Sequence, residues 1–174
     1  MDAIAPLAAA ALPELKGWLR IVLEDEDILL TGHLAAAIGL CEQFTAMALL
    51  LRAGDEELPV CSEWMPLAIR PVTAITAVDG AEGAGSFAPL TVDAYAVDIA
   101  AGGIGRVRIE VPGNATRLRV RYLAGLAESW VGLPETLRHG IIRLAAHFYS
   151  ERQGDAAVPA AVTALWRPWR KLSL

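Results

Sequence analysis

The chain has 174 residues and a net charge of −5, enough length for one domain with a sizeable core and the wrong sign for a dedicated nucleic-acid binder. Its hydrophobic content of 55% and mean hydropathy of +0.41 come largely from alanine, which suits closely packed helices or a subunit that buries surface against neighbours. No run of about 18 uninterrupted apolar residues marks a membrane span, the apolar first twelve residues lack the basic start of a signal peptide, and Cys41 with Cys61 makes no disulfide framework, so two reduced thiols in a cytoplasmically made protein are expected.

Charge is unevenly spread. Residues 1–58 hold three basic and ten acidic side chains, residues 59–126 six of each, and residues 127–174 six basic and four acidic. Opposite signs at the two ends suit head-to-tail contact between subunits, or are the kind of gradient that arises by chance in a small protein. Residues 1–11 carry few helix-period cues and read as a loose or partner-bound lead. Leu12 to Ile21 reads as a short helix with Pro13 in its first turn and Leu15, Trp18 and Leu19 on one side. Glu24-Asp25-Glu26-Asp27 offers either a divalent-cation site or a helix N-terminus, and the amphipathic run that follows at once favours the latter. In that run Leu30, Leu34, Ile38, Cys41 and Thr45 recur at helical spacing, with Ala35, Ala36 and Ala37 allowing a second helix to approach and Glu42 near the apolar side.

Ala53 to Leu58 reads as a solvated loop. Val72 to Val78 reads as a strand ended by a turn at Asp79-Gly80, and Gly80 to Ser86 as a flexible loop whose glycines lack the spacing of a phosphate-binding fingerprint. Tyr95, Val97 and Ile99 alternate as a strand, followed by a turn at Ala101-Gly102-Gly103. Residues 106–111 and 117–122 alternate cleanly, and Pro112-Gly113-Asn114 between them predicts a hairpin. Val107, Ile109 and Val111 would then share a face with Leu118, Val120 and Tyr122. Arg106, Arg108, Arg117, Arg119 and Arg121 would gather on the other face. Such a face meets nucleic acid or an acidic partner, or is compensated by Glu110, Asp98 and Asp93 or by solvent.

Gly125 to Gly132 leads to a long helix, with Trp130 expected in the core. Pro134 opens the helix, Leu137, Ile141, Leu144, Ala145 and Phe148 make its stripe, Gly154-Asp155 breaks it, and Pro159 starts a shorter one. The chain ends with Trp166, Arg167, Trp169, Arg170 and Lys171 around Pro168. These are either a helix end packed on the domain or a docking tail, since Trp and Arg dominate binding hot spots.

No chemistry stands out. His33, His139 and His147 have no His-x-x-x-His spacing, there is no CxxC, no Gly-x-Ser-x-Gly and no P-loop, and Cys41 sits on an apolar stripe. No catalytic residue, metal or cofactor is expected.

The run Leu-Ala-Ala-His-Phe-Tyr-x-x-Arg, a break, then Val-Pro-x-x-Val-x-x-Leu-Trp-x-Pro-Trp-Arg resembles the head–tail connector (adaptor) proteins of tailed bacteriophages and phage-derived gene transfer agents. The front end, Leu15-Lys16-x-Trp18-Leu19-Arg20-Ile21, then Asp25-Glu26-Asp27 and a helix with Ala35-Ala36-Ala37-Ile38 and Glu42, is similar to them too. The resemblance covers about half the chain and rests on helix faces and caps. It implies a structural, non-enzymatic subunit of a ring, usually a dodecamer, in the neck of a particle, with the portal protein, a tail-completion or stopper protein and the duplex in the channel as neighbours. It also implies a portal-docking role for Trp166, Arg167, Trp169, Arg170 and Lys171, and a channel or subunit contact for Arg106, Arg108, Arg117, Arg119 and Arg121.

The expected architecture is α+β: one connector-like domain, 1–174, in which N-terminal helices (1–58) and C-terminal helices with a docking tail (127–174) pack together around an antiparallel β insertion (59–126). Two other readings remain from the residues themselves. One is a small cytoplasmic ligand-binding module or enzyme with a pocket between helices and sheet; the other is an accessory nucleic-acid-binding protein using the arginine-rich face.

Overall fold

Four α-helices and seven strands make up the computed structural model, which describes residues 4–111, 113–151 and 157–170. The fold is α+β, with antiparallel sheets, as expected. The chain divides into a helical unit, Met1–Leu50 with Ala127–Leu174, and a β unit, Leu51–Leu126.

In the helical unit, α1 (Ile4–Leu19) begins far earlier than the sequence suggests. The alanine-rich lead is helix, not a loose end. Leu7, Ala8, Ala11 and Leu15 are buried, one stripe drawn mostly in small residues that give little periodic signal. Pro13 therefore lies deep inside the helix. Its missing N–H leaves the carbonyl of Ala9 unbonded, and Ala9 is exposed, where water takes over.

Helix α2 (Asp27–Thr45) has the expected bounds, and Leu30, Leu34, Ile38, Cys41 and Thr45 are all fully buried. Each large aliphatic side chain so buried is worth about 2 kcal/mol. The helix is long and apolar enough to cross a membrane by length and composition, but its stripe packs against α1 and the third helix. Ala46, in the left-handed conformation, ends it. Glu42 then accepts the N–H of Leu49 at 2.8 Å and catches the chain as it leaves.

Helix α3 (Glu135–Ser150) buries Leu137, Ile141, Leu144 and Ala145, with Phe148 half-buried. Pro134 is its N-cap residue, one position earlier than expected. Helix α4 (Ala160–Trp166), capped by Pro159, packs on α3. The expected break at Gly154 and Asp155 lies outside the described residues. Polar ties join the helices: Lys16 to Asp27 at 2.6 Å, Tyr149 donating to Glu26 at 2.7 Å, and Trp130 donating its indole N–H to Glu14 at 2.8 Å. Trp130 is buried, as expected. The unit is closed at its base where Ala127 donates its N–H to the carbonyl of Leu49 at 3.1 Å.

The β unit holds two antiparallel sheets. One has the strand order β1 (Arg52–Pro59), β7 (Arg117–Ala124), β3 (Val72–Ala81), β4 (Ala88–Pro89). The other runs β2 (Met65–Pro66), β6 (Ile104–Ile109), β5 (Tyr95–Ala100). Their inner faces share one core of Leu67, Val72, Val78, Val107, Val120 and Tyr122.

Three expectations fail here. Ala53 to Leu58 is a strand, not a loop. Asp55 and Glu57 face outward to arginines on β7, and Glu56 turns the other way to accept the Tyr122 hydroxyl, so cross-strand pairing offsets the low strand propensity of Asp and Glu. Strand β3 continues through Asp79-Gly80, because Asp79 is held by Arg121 and Gly80 packs against Leu90. Most important, β6 and β7 form no hairpin. β6 pairs with β2 and β5, β7 with β1 and β3, and the link between them crosses from one sheet to the other. Val107 shares the core with Val120 and Tyr122 from the opposite sheet rather than beside them on one, Ile109 and Leu118 are buried, and Val111 is exposed. Strand β3 slips register twice against β7, passing over Thr73 and Thr76. The hydroxyls of these residues donate instead to the carbonyls of Leu123 (3.2 Å) and Arg121 (2.9 Å).

Candidate assembly surfaces

The arginines predicted to form one face lie on the outer faces of two sheets that pack inner face to inner face. Arg106 and Arg108 project from β6. Arg106 pairs with Asp98 at 2.7 Å, Arg108 with Glu110 at 2.8 Å, and both guanidinium carbons lie 4.8 Å from the ring centre of Trp64. Arg117, Arg119 and Arg121 project from β7. Arg117 reaches Glu57 at 3.1 Å and the carbonyl of Gly83 at 2.6 Å; Arg119 reaches Glu57 at 2.7 Å and Asp55 at 3.6 Å; Arg121 reaches Asp79 at 2.8 Å. Phe87 lies under Arg119 and Arg117, 4.1 and 5.0 Å from their guanidinium carbons.

Five arginines thus meet five carboxylates. Each exposed pair is worth at most about 1 kcal/mol, yet together they cancel the positive potential that duplex binding requires. Compensation is what the two faces show. Of the acids expected to supply it, Asp98 and Glu110 do, while Asp55, Glu57 and Asp79 replace Asp93. The hydrogen bond from Arg119 holds the Glu57 carboxyl below the usual carboxylate range, and Glu57 in turn raises Arg119.

The C-terminal residues divide. Trp166 is only 1% exposed. Its indole lies against Gly140, the one residue whose missing side chain leaves room for it, and its N–H points at the carbonyl of Leu137 at 3.4 Å. It is a core group of the helical unit. Trp169, half-buried, donates to Thr136 at 3.0 Å in the short 3-10 turn Arg167–Trp169. Arg167 and Arg170 are exposed, and Arg170 lies over the ring of Phe44 at 5.5 Å. Lys171 is outside the described residues.

A surface that the sequence reading passed over joins α1 to α2. Val22, Leu23 and Ile28 are 88%, 71% and 91% exposed, with Trp18 and Leu29 half out of the fold. A signal was present. Ile28 precedes Leu30 by two residues, about 200° around the helix, and so cannot share the stripe of Leu30, Leu34 and Ile38. Two of the four acids of this stretch bind the fold, and the other two stand in solvent. Asp27 holds Lys16 and Glu26 holds Tyr149, and among the described residues no group of three His, Cys, Asp or Glu side chains is placed to hold an ion.

Chemistry of other kinds has little to work with. A cavity of about 580 Å³ opens in the β unit beside Leu90, Ala94 and Val111, and its ionisable lining groups are Glu82 and Asp93. No histidine, cysteine or basic residue is among its lining groups. Cys41 is fully buried, and burial raises its thiol far above the ordinary range, as suits an inert core group.

No protein-family model and no curated protein matches the sequence. Solved structures do. A chain from the neck of an empty gene transfer agent particle, computed with C6 symmetry, is 27% identical, with 98% of this chain and 93% of that one covered and a TM-score of 0.79. A chain from the virion of a native gene transfer agent particle is 31% identical over the same shares, with a TM-score of 0.74. A chain from the neck of a native particle, computed with C12 symmetry, is 30% identical, again over 98% and 93%, with a TM-score of 0.76.

Proposed function

We infer the role of this chain from its kin, for it belongs to the structural neck proteins of gene transfer agent particles, and we propose that within the neck it is the head–tail connector. Copies would form a ring below the portal that joins head to tail and surrounds the path of the DNA. The observation that carries this reading is the end-to-end match to neck chains, which takes in both the helical and the β unit. Twelve copies fit the symmetries of those necks, since a twelvefold ring also has sixfold symmetry.

In this reading the end of the chain contacts the portal through Arg167, Trp169, Arg170 and Lys171, with Trp166 as the internal anchor that fixes their position. A truncation that tests docking therefore begins after Trp166. Whichever sheet face lies toward the channel presents arginines already paired with carboxylates. Such a surface lets a duplex pass without gripping it, because few phosphate counterions are released on contact.

The test is the native mass of the purified protein over a wide concentration range, with negative-stain imaging, alone and mixed with heads that lack a neck. Closed rings of about twelve with a hole wide enough for duplex DNA are expected. A chain that stays monomeric alone and also fails to join the heads would overturn the proposal.

A further inference from the structure

The helical unit carries an apolar knob at one end and an apolar groove at the other. The knob is the α1–α2 connection, where Val22, Leu23 and Ile28 stand in solvent and serve no core of their own unit. Beside them are the carboxylates of Glu24 and Asp25, which have no side-chain partner among the described residues. The groove, about 250 Å³, opens between the C-terminal half of α2 and α4, and its walls are Leu40, Gln43, Phe44, Val158, Thr163 and Trp166. Arg170 lies over Phe44 and makes its rim cationic. Helix α2 links the two features: Ile28 and Phe44 are sixteen residues apart, a rise of roughly 24 Å.

Contiguous exposed aliphatic side chains mark a contact surface. Here the chain also supplies the complement: aliphatic groups with carboxylates at one end, an apolar slot with an arginine at the other. The geometry points to a head-to-tail contact in which the Val22–Ile28 knob of one copy enters the α2–α4 groove of the next, Glu24 and Asp25 facing Arg170. The two surfaces differ and lie at opposite ends, so the contact is heterologous; each copy offers a free knob and a free groove until the chain of copies closes on itself. Two equal patches would instead make a dimer and stop. This rests on the ring reading above and names the surfaces that build the ring. It gives Arg170 to the neighbouring copy and leaves Arg167, Trp169 and Lys171 to the portal.

The test is a charge exchange in the full-length protein. Glu24→Arg with Asp25→Arg makes knob and rim both positive. Gln43→Glu with Arg170→Glu makes both negative. All four positions are on the surface, so the melting temperature and helical circular dichroism of each variant should match the wild type, which separates lost contact from lost fold. Each variant alone should self-associate at least about tenfold more weakly than the wild type. Mixed one to one, they should recover large assemblies with the two variants alternating, because every knob then meets a rim of opposite charge. Wild-type rings accompanied by equally good rings from either variant alone would overturn this contact and leave the ring reading standing. A wild type that forms no ring alone or on heads without a neck would overturn the ring reading itself.

Discussion

Two glycines in two helices should respond to the same substitution with opposite signs. Gly32 in α2 is exposed and has nothing within 4 Å of where a Cβ would stand. Gly32→Ala removes the backbone-entropy cost of a helical glycine and should stabilise by about 1 kcal/mol. Gly140 in α3 gains the same about 1 kcal/mol, but its new methyl would overlap the Trp166 indole, with Cδ1 and Cε2 only 2.9 Å away. Trp166 is buried and hydrogen-bonded to the turn below, so it cannot swing aside within the fold. Forcing it out costs about 2–3 kcal/mol on the scale of overpacked cores, which leaves a net loss of about 1–2 kcal/mol. For a chain of this size that is a fall in melting temperature of about 2–8 °C, against a rise of about 2–4 °C for Gly32→Ala. Thermal melts followed at 222 nm, with acrylamide quenching of tryptophan fluorescence to follow the exposure of Trp166, measure both. A Gly140→Ala protein that melts at or above the wild type, with quenching unchanged, would refute the argument that α4 is locked through this contact.

Three further outcomes are expected. In thiol titration with a chromogenic disulfide, Cys61 reacts in the native protein and Cys41 only after denaturation, because Cys41 is fully buried; rapid reaction of both thiols in native buffer would contradict this. Tyr122 donates to Glu56 and accepts the N–H of Ile69, and burial followed by the Glu56 contact raises its pKa well above the ordinary value. The unfolded phenol ionises near pH 10 while the folded one stays protonated. The stability this phenol contributes is thus complete below about pH 10 and fades above it, and denaturant melts from pH 8 to 11.5 should show a decline that Tyr122→Phe lessens. Replacing residues 51–126 by a short glycine–serine linker should leave a cooperatively melting helical protein, since Leu49 and Ala127 are already hydrogen-bonded neighbours and the helical core is built from residues outside the excised stretch; a non-cooperative, aggregating product would show that the helical unit lacks a core of its own.

The stripe of α2, from Leu30 to Thr45, and that of α3, from Leu137 to Ala145, were written in the sequence because a 3.6-residue period of large aliphatic side chains specifies a buried helix face regardless of what covers it. The same holds for the alternation of β6 and β7, and for the burial of Trp130. The lead helix was not legible, since alanine scarcely distinguishes a buried face from an exposed one. Period alone could not say which strands pair. Residues 106–111 and 117–122 have matching alternation and a turn between them, yet an inward-facing pattern is satisfied equally by a hairpin and by two strands facing each other across a core. Only the tertiary structure decided between these, and with that choice it split five arginines between two outer faces and gave each a carboxylate. It decided the end of the chain as well. Trp166 and Trp169 look alike in sequence, but the notch at Gly140, 26 residues earlier, takes one of them into the core and leaves the other at the surface. Local periods fix which side of an element turns inward, whereas the partner on that side is set by contacts between residues far apart in the chain.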